Sequence, residues 1–277
     1  MSEKLSISVA KHLEDENDLS KNRDAGLVPG QEQLAFSMAE AIHEHAISNK
    51  FRILLFYVSP KKRALETAEL VKKCLADKTD KLRIILKVDT NLREIDQGRF
   101  ILPESYQTGD HFPGLKIAGQ IFSAETFNSE NPANDNLNYH FGDPLLQTDG
   151  TYKYPELLQY FSERGESYRD ILLRFYGEVI KFSGSLERLK DKVDPVIFTH
   201  GQPHQIFLNL SQVAEKVEKE GFNVEVGKLP RICWDLYQTT RLGVIPFGQL
   251  TFISIENVCK PKMVDILKRE ITHLKGI

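Results

Sequence analysis

Cysteine is scarce in this chain of 277 residues. Only three are present, Cys74, Cys233 and Cys259, and they lie far apart along the sequence. Disulfide frameworks use an even number of cysteines, and cysteine metal clusters use short, repeated spacings. The sequence therefore predicts neither, and a few separate thiols are typical of a protein from a reducing compartment.

Long apolar runs and an excess of one charge are also missing. The start, MSEKLSISVAKHLEDE, has no long apolar core of a signal peptide, and no later run reaches the roughly eighteen apolar residues that suggest a membrane span. Thirty-six Lys and Arg balance thirty-nine Asp and Glu, which leaves a net charge of -3. We therefore expect a cytoplasmic protein that binds neither nucleic acid nor membrane.

The sequence instead alternates strand patterns with helix patterns. Short β-type runs predict strands at 5–10, 53–58, 83–88, 195–199 and 249–255. Apolar residues at helical spacing predict helices at about 31–48, 60–76, 165–183, 204–220 and 261–275. This order is typical of an α/β fold with a central mixed, mostly parallel sheet and helices on both faces. No Gly-x-Gly-x-x-Gly follows any of these strands, which disfavours a dinucleotide site.

The segment at about 101–160 interrupts this alternation. It scatters Pro, Gly, Asn and Asp, as in TGDHFPG and NSENPANDN, and has little sustained periodicity. Loops of this length inside compact domains are uncommon and often functional. We interpret the segment as an insertion or cap over one end of the sheet. A surface excursion without a role is the alternative.

Side chains that can bind anions or transfer protons follow several of the predicted strands. They are Lys11 and His12 after the first strand, Ser59 and Arg63 after the second, Glu94 a few residues after the third, and His200 after the fourth. Ligands bind beyond the carboxyl ends of the strands in sheets of this type. We therefore expect these side chains to meet in one pocket.

Three consecutive cations, at 61–63, stand in the first turn of the predicted second helix. The N-terminus of a helix is already partly positive, so each cation there costs about 0.3–1 kcal/mol unless an anion is bound. The cluster therefore indicates an anion near this helix start. For Lys61 and Lys62, simple exposure to solvent is the alternative.

Several stretches together resemble the histidine phosphatase superfamily, also called phosphoglycerate mutase-like. They are SPKKRALETA at 59–68, LREIDQG at 92–98, RGESYRDILLRF at 164–175, FTHGQ at 198–202 and, one residue shorter than its counterpart, LVPGQEQLA at 27–35. The first matches the family pattern Ser-Pro-x-x-Arg-Ala-x-x-Thr-Ala. Because these stretches cover most of the chain in order, the resemblance implies a single phosphoglycerate mutase-like domain over 1–277, with the insertion at about 101–160.

The resemblance implies a role for each strand-end residue. His12 corresponds to the nucleophile that becomes phosphohistidine, and Glu94 to the proton donor. His200 corresponds to the second pocket histidine, which takes part in catalysis and binds phosphate together with Lys11 and Arg63. The implied reaction needs no metal and no cofactor, and the implied partner is a small-molecule phosphate ester.

The residues that follow the first predicted strand depart from the family pattern. The family has Arg-His-Gly, whereas this chain has Lys11-His12-Leu13. Lysine keeps the positive charge but lacks the planar fork that grips two phosphate oxygens. Leu13 replaces a glycine where the backbone ordinarily approaches the ligand. The asparagine that the family has shortly afterwards corresponds to Asn17 or Asp18, and the family spacing favours Asp18, whose carboxylate would repel phosphate.

The function implied by the resemblance is the hydrolysis of phosphate monoesters by a metal-independent phosphatase. A phosphomutase of the same family is one alternative, but the 101–160 segment offers no cationic triad for a second phosphate or carboxylate. A catalytically degenerate module that binds a phosphorylated ligand or a protein is another. The presence of both His12 and Glu94 favours an enzyme, because a binding module needs neither a nucleophile nor a proton donor.

Three other histidines are interpreted without a role in catalysis. His43 and His45 lie two residues apart on the predicted first helix, and both are predicted to be surface residues. His204 follows His200 by four residues, which is a metal-ligand spacing on a helix. Pro203 between them and the absence of a nearby acidic partner weigh against a metal site.

Overall fold

The computed structural model of the chain describes residues 6–11, 26–78, 81–94, 99–100, 115–117, 120–122, 161–163, 166, 168–189, 193–240, 247–254 and 256–276. Two compact units divide the chain. The first contains the described residues of Met1–Glu16, Asp24–Glu94 and Arg174–Ile277, and the second those of Asn17–Arg23 and Ile95–Leu173.

The described strands and helices include the predicted alternation, with four additional strands and one additional helix. The strands are β1 (Ser6–Lys11), β2 (Ile53–Val58), β3 (Arg83–Val88), β4 (Arg99–Phe100), β5 (Leu115–Ile117), β6 (Gln120–Phe122), β7 (Phe161–Glu163), β8 (Val193–Thr199) and β9 (Leu250–Ser254). The helices are α1 (Glu32–Ser48), α2 (Lys62–Lys78), α3 (Tyr168–Leu189), α4 (Gly201–Lys219), α5 (Leu229–Thr240) and α6 (Pro261–Leu274).

A five-stranded sheet lies at the centre of the first unit, in the order β3-β2-β8-β1-β9. The pairs β3 with β2, β2 with β8, and β8 with β1 are parallel, whereas β9 is antiparallel to β1. All five predicted strands are present within two residues of their predicted ends. The predicted mixed, mostly parallel sheet is therefore confirmed.

Helices cover both faces of this sheet because successive side chains of a buried strand point to opposite sides. On β2, Leu54 and Phe56 belong to the core cluster that also contains Ile42 of α1 and Val71 of α2. Tyr57 follows Phe56, so its side chain points to the opposite face of the sheet. There its ring meets that of Phe182 of α3 edge-on, with 4.4 Å between centroids. A parallel strand buried on both faces reads as a continuous apolar run, as ILLFYV does.

One helix, α5, was not predicted. Its second residue is Pro230, a residue usually taken as a helix breaker, and the helix is only 12 residues long. Proline is tolerated in the first turn because the N–H that it lacks has no partner within the helix there. The same reason lets α4 include Pro203 and begin at Gly201, three residues before the predicted start.

The prediction that His45 is a surface residue is wrong. Its side chain is only 16% exposed, and Nδ1 lies 2.9 Å from Oδ2 of Asp194, which is fully buried at the start of β8. The ring also stacks on Phe252, with 4.6 Å between centroids. The last turn of α1 thus packs against the amino-terminal ends of the strands, so its histidine pairs with a buried carboxylate.

The second unit contains two antiparallel pairs among its described residues, β4 with β7 and β5 with β6. Most of the predicted insertion at 101–160 lies outside the described residues, and its role as a cap stays a prediction. Within the described ranges, none of the helices combines the length and the apolar character that crossing a membrane requires.

Two glycines with open surroundings should respond in opposite directions to alanine. A Cβ at Gly177, inside α3, or at Gly30 would meet no atom within 4 Å, but Gly30 has a φ of +88°. Gly177→Ala should raise the free energy of unfolding by about 0.5–1 kcal/mol, because alanine favours a helix interior. Gly30→Ala should lower it by about 1–2 kcal/mol, because an L side chain disfavours that backbone region. Urea denaturation measures both changes in the free energy of unfolding. A decrease in Gly177→Ala would contradict the open surroundings of Gly177 in the helix.

Candidate functional site

The carboxyl ends of three strands meet because β8 lies between β1 and β2. The β1–β8 register places Lys11 opposite Thr199. The backbone N–H of Ser59 donates to the carbonyl of Phe198 at 2.9 Å. Lys11, Ser59 and His200 are therefore brought to one edge of the sheet by strand pairing alone.

His200 is held by two side chains from the segment that follows β2. Its Nε2 lies 2.8 Å from Oγ of Ser59, and its Nδ1 lies 3.3 Å from Nε of Arg63. A guanidinium can only donate, so Nδ1 accepts, and the ring hydrogen on Nε2 donates to the serine hydroxyl. These contacts select one tautomer of the neutral imidazole. Because His200 and Ser59 are fully buried, water does not compete with them.

The cations at the start of α2 point to different partners. Arg63 contacts His200, whereas Lys62 pairs with Glu66 at 3.7 Å on an exposed part of the helix. The hydroxyl of Ser59 accepts from the backbone N–H of Lys61 at 3.3 Å, which satisfies one donor at the helix start. Of these residues, Arg63 is the one whose guanidinium the structure places against the second histidine.

Glu94 approaches His200 from the segment after β3. Its Oε2 lies 4.0 Å from Nδ1 of His200, which is close but longer than a hydrogen bond. The carboxylate is partly accessible, with 23% of the side chain exposed, whereas His200 is enclosed. A carboxyl group at the accessible side of a buried pocket is suited to exchange protons with a bound molecule.

Lys11 lies beside the first residue of α4. Its Cε is 4.0 Å from the position that a Cβ on Gly201 would occupy. Its ammonium sits 4.2 Å from the centroid of the Phe247 ring, and the residue is only 6% exposed. The ring face stabilises a cation that has lost most of its water.

His204 adds no charge to this region at neutral pH. Burial and, to a smaller extent, the charge of Lys11 lower the pKa of His204 to about 4. The ring is 1% exposed, and its Nδ1 has no hydrogen-bond partner among the residues that the structure describes. In the described part of the chain, no group of three or more His, Cys, Asp or Glu is arranged to hold a metal ion.

The structure thus brings four of the five predicted site residues together, namely Lys11, Arg63, Glu94 and His200. The fifth, His12, lies outside the described residues. The geometry shows proximity, and the roles of the five residues stay predictions.

Sequence reasoning missed the side chains that hold the others in place. Ser59 was predicted to lie with the other strand-end residues, but its hydrogen bond to His200 was not predicted. Arg174 lies within the quoted RGESYRDILLRF stretch, but nothing in its sequence neighbours indicates that it contacts the segment before Glu94.

Comparisons with known proteins give structural likenesses only. No family model matches the chain, and no curated protein matches it either.

Similar solved structures include phosphatases and a mutase, the types of enzyme that the sequence motifs resemble. A mycobacterial glucosyl-3-phosphoglycerate phosphatase is 15% identical over 90% of each chain, with a TM-score of 0.45. Phosphoglycerate mutase from Bacillus anthracis is 14% identical over 96% of this chain and 98% of that one, with a TM-score of 0.44. The alpha-ribazole phosphatase from Shigella flexneri is 12% identical over 89% of each chain, with a TM-score of 0.44. At these values the likenesses carry no argument about activity, which has to rest on the residues of this chain.

His204 should make the fold sensitive to acid. In the unfolded chain a histidine takes up a proton near pH 6.5, but in the folded chain the pKa of His204 is about 4. Between these values the unfolded state binds the extra proton, so stability falls as the pH drops, by about 3 kcal/mol in total. His204→Leu should remove this part of the decline, as measured by urea denaturation from pH 7 to pH 4.

The matched control is Leu210→Ala in the same helix, at a residue that is 1% exposed. It removes buried apolar atoms but no titratable group, so it should lower stability equally at every pH. If the free energy of unfolding of His204→Leu fell with pH as steeply as that of the unsubstituted protein, the inference that the ring of His204 is enclosed and neutral would be contradicted.

Proposed function

We propose that the chain is a metal-independent phosphatase that hydrolyses phosphate monoesters through a phosphohistidine on His12. The observation that carries this proposal is the contact between Nε of Arg63 and Nδ1 of His200, at 3.3 Å, between residues 137 positions apart. The motifs assign phosphate binding to both of these residues, and Oε2 of Glu94 lies 4.0 Å from Nδ1 of His200. The predicted cytoplasmic location and small-molecule partner belong to the same proposal.

In the first step, a ring nitrogen of neutral His12 attacks phosphorus, and the bond from phosphorus to the ester oxygen breaks. Glu94 donates its proton to the departing alcohol oxygen, so the alcohol leaves neutral. The charge on the equatorial oxygens is stabilised by Lys11 and Arg63, and by the Nε2–H of His200 once bound phosphate replaces the hydroxyl of Ser59 as its acceptor. These groups are held in advance in a site with little water, where such stabilisation is strongest.

In the second step, water attacks phosphorus and the bond from phosphorus to nitrogen breaks. The ionised Glu94 takes the proton of the attacking water, which restores the protonated acid for the next cycle. His12 returns to its neutral form, and inorganic phosphate leaves. One carboxyl group therefore serves as acid and then as base, which fits its position at the accessible side of the pocket.

Lys11 is the main difference from the family pattern, and its surroundings define what it can do. An ammonium group over the Phe247 ring acts as a point charge. It lacks the planar pair of N–H donors with which a guanidinium binds two phosphate oxygens together. We expect Lys11 to contribute charge, while the planar grip on phosphate comes from Arg63.

An assay on small phosphate esters in the presence of a chelator tests the proposal. His12→Ala should abolish turnover, and Glu94→Gln should lower it by about a hundred-fold or more, because general acid catalysis contributes about 10²–10⁴-fold. Lys11→Arg should raise it, because the planar fork is restored. Phosphate should be trapped on His12 of the unsubstituted protein, in a bond that is labile to acid and stable to base.

The matched control is His43→Ala on α1, which should keep full activity. Phosphate binding without turnover in any variant would support a binding module in place of an enzyme. A phosphohistidine that passes its phosphoryl group to a second hydroxyl, with no release of inorganic phosphate, would support a mutase.

A further inference from the structure

The segment that leads into Glu94 is fastened through three consecutive backbone carbonyls. Nη1 of Arg174 donates to the carbonyl of Asn91 at 2.6 Å and to that of Arg93 at 2.9 Å. Between them, the hydroxyl of Thr199 donates to the carbonyl of Leu92 at 2.7 Å. The last of these carbonyls belongs to the peptide bond that Arg93 shares with Glu94, so the contacts reach the backbone of the proposed acid itself.

Two elements of the first unit supply these donors. Thr199 is the last residue of β8 and the direct neighbour of His200, and it is fully buried. Arg174 lies on α3, and the face of its guanidinium rests 4.9 Å from the centroid of the Phe175 ring. One donor therefore comes from the strand that carries the second histidine, and the other from a separate helix.

Further contacts hold the start of the same segment against α3. Asp89 accepts from the backbone N–H of Asn91 at 3.0 Å and from Nζ of Lys181 at 3.1 Å. The side-chain amide of Asn91 donates to Glu178 at 2.9 Å.

Residues 174, 178 and 181 are four and three positions apart, which places them on one face of a helix. This face of α3 therefore follows the whole path from the end of β3 to Glu94. Glu178 is 1% exposed and Asp89 is 6% exposed, so these two carboxylates are shielded from water.

We propose that Arg174 and Thr199 are positioning residues that fix Glu94 relative to His200. This inference rests on the proposed function, in which Glu94 transfers protons. Proton transfer requires the carboxyl group to lie within hydrogen-bond reach of the leaving oxygen. A small displacement of a reacting group lowers the rate strongly, even when the residue that causes it never touches the substrate.

The test compares two esters that differ in their need for an acid. The alkoxide that leaves ethyl phosphate requires protonation, whereas the nitrophenolate that leaves para-nitrophenyl phosphate does not. kcat/KM reports the steps up to the phosphoenzyme and therefore the step in which Glu94 acts as the acid. Arg174→Met and Thr199→Val should lower kcat/KM about ten- to a hundred-fold for ethyl phosphate and less than about three-fold for the aryl ester. Glu94→Gln should show the same selectivity, and more strongly.

Conservative variants keep the test valid if the larger changes disturb folding. Thr199→Ser retains the hydroxyl and should resemble the unsubstituted protein. Arg174→Lys retains the charge on a side chain one bond shorter, so its loss should lie between those of Arg174→Met and the unsubstituted protein. Placing Gly177→Ala in the same chains compensates for lost stability.

The matched control is Lys262→Met. Nζ of Lys262 also donates to a backbone carbonyl, that of Val217, at 3.1 Å. This variant removes a cation-to-carbonyl bond away from the segment of Glu94, so it should leave the ratio of the two kcat/KM values unchanged.

The outcomes separate this inference from the proposed function. Equal losses on both esters in the Arg174 and Thr199 variants, beside selective losses in Glu94→Gln, would overturn the positioning role alone. A Glu94→Gln variant that does not distinguish the esters would overturn the acid role and the positioning role with it. No hydrolysis of either ester by the unsubstituted protein would overturn the proposed function and this inference together.

Discussion

The parallel pairing of β8 with both β1 and β2 is the constraint on which the site depends. All seven residues of β8 are buried, and the strand pairs with β2 from Val193 and with β1 from Val196. A slip of one residue would exchange the faces of every side chain, so the buried sequence specifies the register strongly. That register sets Lys11 beside Thr199 and Ser59 beside Phe198, and His200 then follows at the centre of the edge. The proximity of Lys11, Ser59 and His200 is thus a consequence of sheet formation before any side-chain contact is made.

The fold could be predicted because its signals are local. Each strand of the five-stranded sheet is a short apolar run between turn residues, and four of those runs lie between helical patterns long enough to cross over a sheet. The errors arose where a local rule has an exception. The helix Leu229–Thr240 was not predicted, and α4 begins three residues before its predicted start at 204; both helices have a proline in the first turn, where proline is accommodated. His45 was assigned to the surface from its spacing, but the residue that decides its environment is Asp194, which lies 149 positions away.

The sequence indicated which residues form the candidate site better than it indicated how they are arranged. The motifs around Arg63, Glu94 and His200 indicated the residue types and their order, and the strand-end rule indicated that they would meet. The tautomer of His200 could not be read from the sequence, because it follows from which ring nitrogen faces Arg63 and which faces Ser59. The supports of Glu94 were invisible for a different reason: they are bonds to main-chain oxygens, which every residue type presents alike.

That uniformity of the backbone has a consequence for how such a site can change over generations. Because Arg174 and Thr199 hold carbonyl oxygens, a mutation that alters only the side chain of Arg93 leaves its carbonyl bond available, and neutral drift there need not move the neighbouring glutamate. The information that fixes the carboxyl group is stored instead in a helix and a strand encoded roughly eighty to a hundred positions downstream. A lineage that lost either donor while keeping Glu94 would retain a complete motif but lose two or more of the bonds that hold its backbone, or one of them in the case of Thr199. Inheritance of the motif and inheritance of its support are therefore separable in this chain.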